Sequence, residues 1–187
     1  TEKLVAETVE TVKNGGDYTT TRFYKTIPVV VGWNAASDAA KREHLDFKVV
    51  AFDARNVKNE PEKGSFREQM LRDLVTQVTA GTGESIGRVD EKTDTYHYMR
   101  AIKLDASCMV CHGDPAKYDA KDDKGAFDGK DPVGFKMEGW KPGDMHGAYE
   151  LQMPLAPVDH QIAGFTQRGL MWSVPVMVLA GVTLFWL

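Results

Sequence analysis

Cys108-Met109-Val110-Cys111-His112 gathers both cysteines of the chain into one five-residue segment, with a histidine directly after the second. Cys-x-x-Cys-His is the pattern by which a haem is attached covalently. Two thiols add across two vinyl groups to give thioethers, and a two-residue gap lets both sulfurs reach one porphyrin edge from a single turn of backbone. The next residue, His112, then falls under the iron as its proximal imidazole. Other uses of the pair fit less well. A thioredoxin-like redox pair belongs beside a βαβ pattern, and none precedes it. A zinc site needs four ligands, yet there is no second cysteine pair and the other histidines are scattered at 44, 97, 146 and 160. A structural disulfide across two residues would be tight and strained. The expectation is one covalent haem c.

The second axial position takes a histidine, a methionine or nothing. His97 is the first candidate, flanked by Tyr96 and Tyr98 on a strand-like run that leads to the motif. His146 is the second, with Met145 beside it. Met99 and Met137 are open alternatives, and His44 lies in a polar helical stretch. For each histidine the default is a surface or hydrogen-bonded role. A second imidazole gives a low-potential electron carrier, a methionine raises the potential, and an open site admits a small gas. Arg55 and Arg100 are candidate partners of a haem propionate, since a guanidinium fork holds a carboxylate through two contacts. Trp33, Trp140 and Tyr98 are aromatic residues of a size to pack on the porphyrin.

These residues need elements to carry them. Residues 1–14 place Leu4, Val5, Val9 and Val12 on one helical stripe. Pro28 interrupts a mixed stretch with three β-branched residues, 29–31, and residues 34–43 read as an Ala-rich helix. A strand is expected over 47–52, a polar loop over 53–64 and an amphipathic helix over 66–78. Residues 95–103 and 147–153 are strand-like. Residues 114–132 are a long polar loop, full of Asp, Lys and Gly, beside the motif. Few strands and short turns argue against a doubly wound sheet. The fold class is α+β, an antiparallel sheet flanked by helices.

The 187 residues suffice for one domain with a sizeable core, and a net charge of −4 gives no basic footprint for nucleic acid. Covalent haem attachment takes place outside the cytoplasm, so the motif implies export. Thr1-Glu2-Lys3-Leu4 opens directly into polar, periodic sequence, so the expectation is that a leader or an N-terminal anchor has been removed. Gly169 to Leu187 is nineteen residues without a charge, near the roughly 20 a helix needs to span a bilayer core. Arg168 lies at its near end, and Trp172 and Trp186 lie close to its two ends, as interfacial anchors do. The expected division is a haem domain over 1–166 and a transmembrane helix over 167–187.

Arg55-Asn56 with Asn59-Glu60-Pro61, the strand Tyr96 to Ile102, Cys108 to Ala116, and Gly147 to Val158 followed by an apolar helix together resemble a known family. It is the PAS-like c-type haem domains that precede bacterial chemotaxis receptors and sensor kinases, together with related stand-alone periplasmic cytochromes. The resemblance implies a PAS-like sheet, a haem held at one side, attachment at Cys108 and Cys111, and His112 as proximal ligand. A stand-alone cyanobacterial member uses a cysteine from its N-terminal half as second ligand; this sequence has no third cysteine.

The expected function is that of a membrane-anchored periplasmic mono-haem cytochrome in electron transfer, held in the inner membrane by one span and working with a redox partner protein or as a subunit of a membrane complex. The alternative is a haem-based redox or gas sensor domain of a truncated receptor. No motif points to an enzyme.

Overall fold

The computed structural model describes residues 2–119, 121 and 125–186. Thr1, four residues of the expected polar loop (120 and 122–124) and the last residue of the apolar run, Leu187, lie outside the described residues. The elements follow in the order α1 (Glu2–Lys13), α2 (Pro28–Arg42), β1 (Asp46–Val50), α3 (Phe66–Thr79), β2 (Ser85–Asp90), β3 (Thr95–Lys103), α4 (Met109–His112), α5 (Pro115–Tyr118), β4 (Met145–Pro154) and α6 (Ala156–Trp186). The four strands form one sheet in the order β1-β4-β3-β2. Every pair is antiparallel. The fold class is the α+β, PAS-like arrangement expected from sequence.

Helix α3 builds the core. Ser65 caps it by accepting from the Glu68 N–H at 3.1 Å, and the Glu68 carboxylate reaches back to the Gly64 N–H, close to a capping box. Its 3.6-residue period brings Met70, Leu71 and Leu74 onto the sheet, where they meet Val50, Met99 and Ala148, all fully buried. Each such side chain contributes about 1.5–3 kcal/mol on leaving water.

One expectation from sequence is corrected and one strand is added. Pro28 does not break up the mixed stretch around it but opens α2 from its first position, where a missing N–H leaves no bond unmade. Valines 29–31 form the first turn, and the few tenths of a kcal/mol of poor helix propensity per valine is offset by burial of Val30 at 4% exposure. Strand β2 was not expected, because Ser85-Ile86-Gly87-Arg88-Val89 lacks a period-two pattern. It is an edge strand held by its register with β3.

Between the neighbouring strands β3 and β4 the chain makes a long excursion, residues 104–144, that carries the cysteines. Its base is closed by Leu104 N–H to Asp144 O at 3.0 Å and Gly143 N–H to Leu104 O at 2.8 Å. A register shift at Ala101/Lys103 and Gly147 with φ of 120° bring β4 close to β1. A Cβ at Gly147 would stand 2.6 Å from Val50 O. Gly147→Ala is therefore expected to destabilise the domain by about 1–3 kcal/mol, through left-handed strain and overpacking together. An unchanged thermal midpoint would show that β4 yields there freely.

Helix α6 follows β4 after one residue and runs unbroken for 31 residues. It is long and apolar enough to cross a membrane, with mean hydropathy 1.7 over its most apolar stretch and none of that stretch buried.

Candidate functional site

Asp105 starts the motif segment. Its carboxylate accepts from Ser107 N–H at 2.7 Å and lies 3.6 Å from Cys108 Sγ. A 3-10 turn, Ala106–Cys108, passes into the single turn of α4. Met109 is fully buried and pins that turn, while Cys108 and Cys111 are free thiols, each half-buried.

His112 ends α4 with its ring oriented by a neighbour. Its Nδ1 lies 3.0 Å from Glu138 Oε2. A carboxylate there accepts a hydrogen bond from Nδ1–H and leaves the lone pair on Nε2, the tautomer a metal-ligating histidine needs. Glu138 is itself gripped by Arg55, Nε to Oε1 at 2.5 Å and Nη2 to Oε2 at 2.9 Å. Burial pushes the Glu138 carboxyl up, but the His112 hydrogen bond and the Arg55 guanidinium overcome it and hold the group down at about 2. Arg55 also donates to Asp131 at 2.6 Å and to Cys111 O at 2.7 Å. The Asp131 side chain is fully buried, and its other oxygen accepts from Val133 and Phe135 N–H at 3.0 and 2.9 Å. Burial, and then the Asp131 charge, push the Cys111 thiol up to about 11.

His146, at the start of β4, packs against this unit. Its ring centre is 4.8 Å from that of His112 and 5.1 Å from Trp140. Burial, then the neighbouring His112, lower its pKa. Two imidazoles on opposite sides of one metal ion need about 2 Å per bond, so their ring centres stand roughly 4 Å plus two ring radii apart. At 4.8 Å His146 is a flanking neighbour of His112, not a ligand facing it across an iron. The Trp140 N–H of the main chain donates to His112 O at 2.8 Å, while its indole Nε1 is buried without a partner among the described residues. A cavity of about 460 Å³ opens beside Glu138 and Arg55, with Phe135, Lys136 and Met137 completing its wall.

The structure sorts the sequence candidates. Cys108, Cys111 and His112 come together with Arg55 and His146. His97 does not join them. It sits six residues before the end of β3, roughly 20 Å along the strand at about 3.3 Å per residue, opposite Gln152 at the far end of β4. Its Nδ1 pairs with the fully buried Glu150 at 2.8 Å, its ring lies 5.2 Å from Phe66, and Arg67 holds the other Glu150 oxygen. Strand alternation is the reason: His97 shares the α3-facing side with Met99, and that side holds the core. His97→Ala is expected to leave the spectrum of a bound haem unaltered while lowering stability; loss of six-coordinate character would reverse this correction. Arg100 is likewise not at the motif; it is exposed across from Ser85 and Tyr149. Arg55 is at the site, but its fork is taken up by two carboxylates and two main-chain carbonyls rather than left open for a propionate.

Glu138 and Asp131 are the site residues that sequence reasoning missed; Trp140, expected only as a ring to pack on a porphyrin, brings an unpartnered indole N–H as well. They lie in or near a polar stretch with no periodicity, and only their contacts reveal them.

The residues at the motif discriminate between its possible uses. Among the described residues no cluster of three or more His, Cys, Asp or Glu side chains is arranged to hold a bare metal ion. A reactive redox thiol has a lowered pKa, and that of Cys111 is raised. Two unpaired thiols, an imidazole with Nε2 presented and an unsatisfied buried indole N–H fit a group that takes thioethers, an axial nitrogen and a hydrogen bond to an acidic edge.

Fold and site together define a PAS-like domain that displays a clamped Cys-x-x-Cys-His segment between two central strands. The chain belongs to the Tll0287-like family, whose model, described as Tll0287, matches residues 1–154. It is similar to the solved structure of the cyanobacterial haem protein Tll0287, with 21% identity, a TM-score of 0.50, and coverage of 82% of this chain and 89% of that one. No curated protein matches.

Proposed function

We propose that the chain is a mono-haem c-type cytochrome, with Cys108 and Cys111 as attachment points and His112 as axial ligand. The observation that carries this is the Glu138–His112 pair, which presents Nε2 beside two free thiols. Membership of a family whose solved relative is a haem protein supports it. Bound there, a haem supplies one-electron redox chemistry. The chain's own part is to hold it: Glu138 fixes the His112 tautomer, Arg55 ties Glu138 to the motif backbone, and the Trp140 indole has a hydrogen bond left to give. In this reading α6 is a single inner-membrane span, the domain faces the periplasm, and the protein passes electrons to a partner protein or within a membrane complex.

A second reading, a redox or gas sensor, draws on one feature. Strand β4 begins beside His112 at His146 and passes after Pro154 into α6, so a displacement at the site has a rigid path to the helix. Carbon monoxide added to the reduced protein separates the two. No spectral change is expected for a six-coordinate electron carrier; a carbonyl spectrum would favour the sensor. A colourless protein after maturation with haem would end both.

A further inference from the structure

Helix α6 carries a second pattern besides its length. Ahead of the uncharged run, residues 156–168 hold three large apolar side chains, Val158, Ile162 and Phe165. Their spacing, four and then three, puts all of them on one stripe of the helix. Their exposure rises from 36% at Val158 to 58% at Ile162 and 74% at Phe165 as the helix leaves the domain, so the domain does not cover this stripe. Asp159, His160, Gln161, Gln167 and Arg168 all lie off it.

The same three-and-four spacing continues through the uncharged run to Trp186. There spacing alone decides little, because nearly every residue is apolar, but residue shape and size decide more. With Ile162 written as heptad position a, the a sites are Ile162, Gly169, Val176 and Thr183, and the d sites are Phe165, Trp172, Leu179 and Trp186. All a sites but Gly169 are β-branched, and none of these d sites is. Ile or Val at a with Leu at d favours two parallel strands. Gly169 falls between the two bulky d residues Phe165 and Trp172 along the seam, where a small residue leaves room for their rings. Small residues also gather where membrane helices meet. Within the run Gly169, Ser173, Ala180 and Thr183 stand at a or e, and only Gly181 lies outward, at f. The b and c sites are all large: Leu170, Met171, Met177, Val178, Leu184 and Phe185. That side is left for lipid.

We propose that α6 pairs in parallel with α6 of a second copy of this chain, along one seam from Val158 to Trp186. The proposal rests on the reading of α6 as a membrane span. Copies inserted with their domains on the same side present parallel helices at equal depth, and a two-fold axis between the helices sets each seam residue against itself. Charge permits the pairing. In a parallel pair a g site faces the next e site of the other helix, which sets Gln161 against the partner's Thr166 and Arg168 against the partner's Ser173, with no like charges opposed. A bilayer by itself accounts for a helix that is apolar all round, not for one apolar stripe among polar residues.

The test uses full-length, haem-loaded protein in lipid vesicles. Single cysteines are placed on the stripe, in Ile162→Cys and Phe165→Cys, and on the opposite side, in Ala163→Cys and Gln167→Cys. The vesicles are washed at alkaline pH and oxidised with copper–phenanthroline. A disulfide-linked band at twice the mass of one chain is expected from the two stripe variants, at roughly tenfold the yield of the other two, as a fixed seam requires. Equal yields from all four positions, or none above the parent's, would overturn the proposal. So would stripe cysteines linked to a different polypeptide. Protein lost to the alkaline wash would sink the span and the seam together, whereas protein retained without stripe-specific linking would sink the seam alone. The haem reading stands in every case, because no seam residue belongs to the motif or its clamp.

Discussion

The double variant Cys108→Ala, Cys111→Ala is expected to run on a denaturing gel without a haem stain, where the parent stains fully. In the proposed cytochrome, thioethers would be the only bonds of this site to survive denaturation, and the chain has no other cysteine to replace them. Each single variant keeps one bond and should stain more weakly. The two are not equivalent. Cys108 lies beside Asp105, whereas Cys111, within α4, is held against the Arg55–Asp131 pair, which with burial raises its thiol pKa to about 11. Loss of Cys111 should therefore reduce stability as well as attachment, and loss of Cys108 attachment alone. His112→Ala should keep the stain and change the visible spectrum, since it removes a ligand and no thioether. A stain of full strength in the double variant would remove covalent haem from the account.

Arg55→Ala is expected to cost about 3–5 kcal/mol of domain stability, the range for breaking a buried ion pair and leaving one charge uncompensated. The stranded charge is Asp131, whose side chain is 0% exposed while that of Arg55 is 17%. The same change releases Glu138 and with it the orientation of His112. Arg55→Lys should not rescue, because one ammonium cannot reproduce bonds to two carboxylates and the Cys111 carbonyl at once. A pH series gives a second readout. Glu138 has its carboxyl held at about 2, below the ordinary 4.5. A group depressed in the folded state stabilises above its unfolded pKa, and that contribution is lost as pH falls from about 4.5 through about 2. In Arg55→Ala, Glu138 keeps only His112 and is less depressed, so this acid-dependent loss should be smaller and complete at higher pH than in the parent. A melting midpoint equal to the parent's from pH 7 to pH 3 would show the clamp to be dispensable.

The motif and most elements are legible from the residues alone because their signals are local. The spacing of Cys108, Cys111 and His112 is a statement about one turn of backbone, and the period of Phe66 to Val78 is a statement about one helix face. Strand β3 is found at its full bounds, 95–103, because aromatic and β-branched types fill it. What fails is non-local. His97 looks like a ligand because it is near the cysteines in sequence, but an extended strand carries it away from them, and strand pairing brings His146 to His112 instead. Asp131 reads as one more charge in a solvated loop, yet it is buried because Arg55, distant in the chain, arrives to meet it. Strand β2 exists through its pairing with β3 rather than through its own pattern.

Helix α6 has a geometric consequence for any partner. Its residues 156–168 precede the uncharged run and, at about 1.5 Å per residue, form a stalk of roughly 20 Å. The remaining turns match a hydrocarbon thickness of roughly 30 Å. With α6 seated in a membrane as proposed, this stalk, attached to β4 with a single residue between, would fix the height of the cysteine segment over the bilayer and its compass bearing about the helix axis. Removing one stalk residue would lower the domain by about 1.5 Å but swing it by about 100°. Facing, far more than altitude, is the quantity this linkage sets.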